Sequence, residues 1–285
     1  MELPAEVHEL IRLALAEDIG AGDVTVRYFV PAEARARAVI LAKEPGVLAG
    51  VALAEAVFRA VDPGITVVVK KSDGDRLEVK DVVLELSGPA RSILTAERTA
   101  LNFLQRLSGI ATQTAAYVKA VAGTGTGILD TRKTTPGWRW LEKAAVRAGG
   151  GTNHRIGLYD MVMVKDNHLP KAGGLTGLQA GIGSLQVAHP GIRVELEADT
   201  VEQVRAFLTL RGVSFILLDN MSLEEMRECV GLAQGSGVKL EASGGITLER
   251  LPEIAATGVD FISSGALTHS VKALDLSLDF SGTEF

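Results

Sequence analysis

The spacing of hydrophobic positions changes near Ser92, and the change divides the chain. Before it, Ala5 to Glu17 carries a helical pattern, and Arg37 to Ala42 reads as a strand leading into the turn Glu44-Pro45-Gly46. Val51, Leu53, Ala54, Val57, Phe58 and Val61 then repeat at helical spacing until Asp62-Pro63-Gly64 stops them. Ile65 to Val69 and Val82 to Leu86 are rich in β-branched residues and leucine, with the turn cluster Ser72-Asp73-Gly74-Asp75 between them. This stretch predicts a small α+β domain. After Ser92 a long helical pattern runs through Ala96-Glu97-Arg98-Thr99-Ala100-Leu101-Asn102-Phe103-Leu104, with a break expected near Ser108-Gly109. Apolar strands then alternate with helical segments, at Gly127 to Leu129, Met161 to Val164, Ile192 to Leu196, Phe215 to Leu218, Lys239 to Ala242 and Phe261 to Ile262. Such alternation predicts an α/β fold with a parallel sheet, here an incomplete (β/α) barrel smaller than the usual eight-unit form. A doubly wound open sheet is the alternative. The expected organisation is an N-terminal α+β domain over residues 1–107, the barrel over 108–270, and a tail, 271–285, packing back on the first domain.

In parallel α/β folds ligands sit at the carboxyl ends of the strands, so the residues ending each strand carry the chemistry. The first strand runs into Asp130-Thr131-Arg132-Lys133-Thr134-Thr135-Pro136-Gly137, an apolar run ending in two adjacent cations. Asn153-His154-Arg155 follows, and the second strand ends in Lys165, expected at or near the barrel interior, where a lysine needs an anion or a chemical role. Later ends carry Glu195 and Glu197, then Asp219 and Asn220, then Ser243-Gly244-Gly245 and Ser263-Ser264-Gly265. Taken alone, an Arg-Lys pair is an ordinary solvated turn, an acid after a strand is an ordinary cap, and glycine with serine is an ordinary turn. Together they describe a mouth for a polyanion. The glycine and serine ends suit phosphate, because free backbone N–H groups at a helix start hold it and glycine permits close approach. The acids are then candidates for Mg²⁺, ribose hydroxyls or a developing cation. Ser222 is a better helix cap than Asp219, and Arg98 reads as an ordinary surface arginine beside Glu97. His8, His168, His189 and His269 carry no assigned role.

Composition narrows the ligand. Lys and Arg number 29 against 35 Asp and Glu, a formal net charge of −6, so general affinity for nucleic acid is not expected and the cationic clusters are local exceptions. A single cysteine, Cys229, excludes an internal disulfide and a cysteine-based zinc site, and fits a reducing cytoplasm. The acidic start, Met1 to Glu6, has no basic and apolar leader pattern, so export is not expected. The uncharged stretch Ala172 to Ile192 is broken by glycines, glutamines, His189 and Pro190, and predicts a soluble helix with flanking loops and no membrane span.

These motifs, in this order, resemble the quinolinate phosphoribosyltransferase family, the decarboxylating enzymes of NAD biosynthesis. The likeness covers nearly the whole chain. It takes in Asp18-Ile19-Gly20-Ala21-Gly22-Asp23-Val24-Thr25, Glu97 to Asn102, Leu107-Ser108-Gly109-Ile110-Ala111-Thr112 and Asp130 to Gly137, then Gly150 to Arg155, Val164-Lys165-Asp166-Asn167-His168, Leu218-Asp219-Asn220 and Glu241 to Ile246. The resemblance implies a phosphoribosyl transfer from phosphoribosyl pyrophosphate to quinolinate with Mg²⁺ and no organic cofactor. It also implies a homodimer or higher assembly, up to a homohexamer, with sites shared between subunits. By position, Arg132, Lys133, His154, Arg155 and Lys165 would hold quinolinate and part of the donor, with Arg98 entering from the neighbouring subunit. Glu197 and Asp219 would face the ribose and its magnesium, with Ser243, Gly244, Gly245, Ser264 and Gly265 around the 5′-phosphate. Glu195 competes with Glu197 for the acidic role, and Glu197 is preferred. A barrel lyase using Lys165 as a Schiff base and a transferase acting on nicotinate are the rival readings.

Overall fold

The computed structural model describes residues 3–165 and 173–284, which form two compact units. The first comprises Met1–Ala115, Thr135–Gly150 and Ser270–Phe285. It begins with α1 (Ala5–Ile19) and α2 (Val24–Phe29), the latter capped by the Asp23 side chain accepting from the Val26 amide. Strand β1 (Arg35–Ala42) alternates as its sequence does, burying Ala36, Ala38, Ile40 and Ala42. The short β2 (Gly46–Val47) precedes α3 (Val51–Val61), whose apolar stripe buries Leu53, Ala54, Val57 and Phe58. β3 (Thr66–Val69), β4 (Arg76–Leu77) and β5 (Val82–Pro89) follow, β4 pairing with β2. The tail forms β12 (Leu276–Glu284), antiparallel to β1, so the sheet runs β12-β1-β5-β3.

The expected break near Ser108-Gly109 is absent. Instead α4 (Ala90–Ala120) continues unbroken for 31 residues. Partners distant in sequence account for this. Ser108 is fully buried, and its hydroxyl accepts from the Ala49 amide at 3.0 Å and donates to the Ala49 carbonyl at 3.2 Å. A Cβ on Gly109 would collide with the Lys272 carbonyl oxygen. The Ser-Gly pair is thus a close-approach site rather than a breaker. Gly109→Ala should therefore lower the melting temperature by several degrees, although alanine is the better helix former by about 1 kcal/mol. A thermal melt in which the variant is more stable would show that the 272 backbone yields.

The first compact unit runs past residue 107 to Ala115 and also takes in 135–150. Its helix α5 (Arg139–Ala148) follows Trp138, whose ring lies 4.8 Å from that of Phe103. Gly149 comes so close to the Ala111 carbonyl on α4 that no Cβ would fit. Glu142, fully buried, accepts from the Thr135 amide and hydroxyl and lies 3.6 Å from Arg106.

The second unit, Ala116–Thr134 with Gly151–His269, carries the predicted alternation. Its strands are β6 (Gly127–Leu129), β7 (Met161–Val164), β8 (Arg193–Ala198), β9 (Phe215–Asp219), β10 (Lys239–Ser243) and β11 (Phe261–Ser263). Between them lie α6 (Gly174–Ala188), α7 (Val201–Phe207), α8 (Leu223–Ala233) and α9 (Leu251–Ala255), and α10 (Ala266–His269) closes the series. All ladder pairs are parallel, in the order β6-β11-β10-β9-β8-β7. The first strand joins the last, and β6 and β7 do not pair with each other among the described residues. The result is an α/β barrel left open. No helix of the described residues is long and apolar enough to cross a membrane. His168, with Asp166 and Asn167, lies outside the described residues.

Candidate active site

Because the six strands are parallel, their carboxyl ends share one rim, and a cavity of about 560 Å³ opens there. Arg132, Lys133, His154, Arg155 and Lys165 line it, as do Glu197, Asp219, Ser243 and Gly244. The chain reaches this arrangement by simple local means. Each strand is short, and its register sets the depth of the polar residues it carries. Glu197 and Glu241 both pair across to Leu217 of β9, so they stand at one level, whereas Glu195 lies two residues deeper, opposite Phe215. Glu195 is fully buried and Glu197 reaches the cavity.

On the cationic side, Arg132 and Arg155 stand close enough to repel. Burial first, and then the Arg132 charge, lower the pKa of the Arg155 guanidinium. Arg155 is held by Nη1 donating to the Met161 carbonyl at 3.3 Å and by an Nη2 contact to Met163 Sδ at 3.6 Å. The Nε of Arg132 is buried and meets no acceptor in the described structure. Two like charges and an unmet donor N–H on one wall call for an anion. Lys165 is not buried as expected. It stands half-exposed at the end of β7, where a strand terminus meets solvent, and its Nζ lies 2.7 Å from Glu197 Oε2.

On the acidic side, α8 is capped by a reciprocal Ser222–Glu225 box, so Asp219 is not spent on the helix. It accepts from Asn220 Nδ2 at 3.0 Å and faces the cavity. The glycine and serine ends differ from expectation in detail. Gly244 and Gly245 both have positive φ, 90° and 57°, and a Cβ on Gly244 would collide with Asn220 Oδ1, so only glycine fits there. A single 3-10 turn, Leu248–Arg250, and the five-residue α9 follow, rather than a long helix starting at the glycines. Gly245, Ser264 and Gly265 are not among the cavity-lining residues; Ser263 lines it instead. The Ser264 hydroxyl accepts from the Ala266 amide at 3.3 Å. Gly265 leaves room for the Lys133 side chain and the His269 ring, each of which a Cβ would crowd. His269, left without a role by the sequence, thus stands beside a pocket cation.

Beneath the rim lies a buried cluster that sequence reading did not assemble. His154 Nε2 is 3.0 Å from Glu195 Oε2 and 3.3 Å from Glu241 Oε2, both carboxylates being almost wholly buried. Burial lowers the imidazole pKa, but the contacts to Glu195 and Glu241 outweigh it and push it up to about 9. Burial likewise pushes Glu195 up, to about 7. The Arg155 amide donates to His154 Nδ1 at 2.8 Å, which opposes a second proton on that nitrogen and sets Nε2 as the first to carry one.

Comparison with known proteins decides the family. The C-terminal domain model of quinolinate phosphoribosyl transferase matches residues 110–279, and its N-terminal domain model matches 23–108. The chain belongs to the quinolinate phosphoribosyltransferase family. It is 44% identical over 274 residues to a probable nicotinate-nucleotide pyrophosphorylase (carboxylating) of Bacillus subtilis, covering 96% of this chain and 93% of that one. A chloroplastic nicotinate-nucleotide pyrophosphorylase (carboxylating) of Arabidopsis thaliana is also 44% identical, over 96% of this chain and 82% of its own. The crystal structure of NadC from Streptococcus pyogenes superimposes with a TM-score of 0.91 at 40% identity, covering all of this chain and 99% of the other.

Most of the candidate residues meet at the cavity, and Gly245, Ser264 and Gly265 lie in the same compact unit without lining it. Arg132, Lys133, His154, Arg155, Lys165, Glu197, Asp219, Ser243 and Gly244 come together around the cavity. Arg98 belongs to the other compact unit, on α4, where it is exposed and 3.7 Å from Glu97. Asp130 and Glu241, which were not singled out as candidates, also line the cavity. Asp130 and Glu241 each stand within a quoted family motif, and that was the available signal.

Proposed function

We propose that the chain transfers a phosphoribosyl group from phosphoribosyl pyrophosphate to quinolinate and releases pyrophosphate and carbon dioxide, giving nicotinate mononucleotide for NAD biosynthesis. The paired names of the relatives, carboxylating and decarboxylating, describe this reaction from its two directions. The observation that carries the reading is the division of one cavity into a cationic wall, Arg132, Lys133, Arg155 and Lys165, and an acidic one, Glu197 and Asp219. Quinolinate brings two carboxylates and the donor several more negative charges, and the cations offset their mutual repulsion. As the bond from C1′ to pyrophosphate breaks, positive charge grows on the ribose, and Glu197 and Asp219 stabilise it. The pyridine nitrogen supplies the new bond to C1′. In the resulting pyridinium the C2 carboxylate leaves as carbon dioxide, its electron pair passing to C2, which then takes a proton. No covalent enzyme intermediate is required.

The acidic wall would also hold Mg²⁺. Glu197 and Asp219, oxygen donors on the cavity wall, are the hard set this ion takes, commonly through water and substrate phosphates. When bound it supplies charge stabilisation to the departing pyrophosphate. The turn at Ser243, Gly244 and Gly245, with Ser264 and Gly265 beyond, is the proposed place of the 5′-phosphate. The Schiff-base reading suits the geometry less well, since Lys165 makes an ion pair with Glu197 instead of standing in an apolar pocket.

The deciding assay supplies purified protein with Mg²⁺, phosphoribosyl pyrophosphate and quinolinate and follows nicotinate mononucleotide and carbon dioxide. Turnover with nicotinate and none with quinolinate would refute the proposal. A cytoplasmic setting suits such highly charged substrates. A homodimer or a higher assembly, a homohexamer included, would bring the partner's copy of Arg98 to the site. Mixing Arg98→Ala with Lys165→Ala chains should then restore part of the lost activity. No recovery in confirmed mixed dimers would argue for sites built from single subunits.

A further inference from the structure

The floor of the cavity holds more carboxylate than an anion site needs. Glu195 on β8 and Glu241 on β10 are buried to within 1% of complete, on either side of β9, Glu241 lining the cavity proposed to take anions and Glu195 two residues deeper. Such placement costs several kcal/mol unless the carboxylates are paired, and by charge alone it weakens anion binding. Both stand at ion-pair distance from the same atom, His154 Nε2, at 3.0 Å and 3.3 Å, without hydrogen-bonding geometry. The other ring nitrogen is engaged too, since Nδ1 accepts the Arg155 amide. The backbone at this corner is held from a third strand. Asp130, fully buried just beyond β6, accepts from the His154 amide at 2.8 Å through Oδ1 and from the Asn153 side chain through Oδ2.

His154 thus has both ring nitrogens engaged although it lines the cavity, and the cation that reaches the cavity from this corner is the guanidinium of the next residue, Arg155. Three strands, through Asp130, Glu195 and Glu241, hold one imidazole and its backbone, and so set the point from which the Arg155 side chain departs, while the Met161 carbonyl and Met163 Sδ steady its guanidinium. Deepening the function proposed above and resting on it, we infer that Glu195 and Glu241 are positioning residues for the acceptor dicarboxylate: they anchor His154 and thereby aim Arg155.

Charge and positioning predict opposite signs, which makes the inference testable. Removing a negative charge beneath an anion site should tighten quinolinate binding if the carboxylates act by charge. Loosening the anchor should weaken it. We expect Glu241→Leu to raise KM for quinolinate at least about tenfold while KM for phosphoribosyl pyrophosphate stays within about twofold. Glu195→Gln and Glu241→Gln keep size and an acceptor for Nε2, and should raise quinolinate KM by less than the leucine variant does. Calorimetric titration of quinolinate into the folded glutamine variants checks the affinity without relying on turnover, and covers a leucine variant that fails to fold. Unchanged or tighter quinolinate binding in the glutamine variants, or equal losses for both substrates, would overturn the positioning role while the function stands on wild-type turnover. A wild type that makes no nicotinate mononucleotide would overturn the function, and this inference with it.

Discussion

Arg132→Ala is expected to raise KM for quinolinate about 100-fold or more and to change KM for phosphoribosyl pyrophosphate far less. The Arg132 Nε is buried without an acceptor in the described structure, and it lies close enough to Arg155 to lower that residue's pKa. A buried N–H left unmet costs about 1–3 kcal/mol, and a fork of charged hydrogen bonds to a carboxylate recovers that and more. Its loss corresponds to about 3 kcal/mol or more of acceptor binding, or roughly two powers of ten. Arg132→Lys keeps the charge but not the fork, so its KM should fall between wild type and alanine. Since the side chain sits on the loop after β6 rather than in the core, the melting temperature should stay near that of the wild type. Steady-state kinetics with each substrate varied in turn will decide. Equal rises in both KM values would take Arg132 off the acceptor wall.

Much of this site could be read from the chain because the alternation of strand and helix gives direction as well as class. Once the strands are parallel, Arg132, Lys165, Glu197, Asp219 and Ser243 must share a rim, whatever the helices between them do. What stayed hidden depends on register and on contacts distant in sequence. Glu195 and Glu197 point to the same face, two residues apart, and alternation cannot separate them. Pairing of β8 with β9 does, by setting Glu195 opposite Phe215 and Glu197 opposite Leu217. Glu241 hid for the same reason, as an acid inside an apolar strand whose use appears only when His154 arrives from another segment. Lys165 was expected deeper than it lies because the sequence marks where a strand ends but not how far that end stands from solvent. Ser108-Gly109 misled in the opposite direction. Its local preference for a break is overridden by Ala49 and Lys272, which are far away in the chain and close in space.

The largest loss of turnover is expected at the pair Lys165 and Glu197, which join the two walls of the cavity. Their contact of 2.7 Å links a cation assigned to the acceptor with a carboxylate assigned to the ribose. Removing a group aimed at charge that develops in the transition state typically costs about 100- to 1,000-fold in kcat. Glu197→Gln should show a loss of that order with only small changes in either KM, because its charge matters most when C1′ becomes positive. Lys165→Ala should behave differently. It withdraws a cation from the bound acceptor and leaves Glu197 without its ion-pair partner, so quinolinate KM should rise as kcat falls. The double variant separates the contributions. If the pair acts as one unit, the double loss will be well short of the product of the single losses. If the losses multiply, each residue works on its own substrate and the ion pair is incidental. Rapid-quench measurement of the chemical step guards against product release masking the effect. A Glu197→Gln enzyme whose chemical step keeps pace with the wild type would remove that carboxylate from transition-state stabilisation.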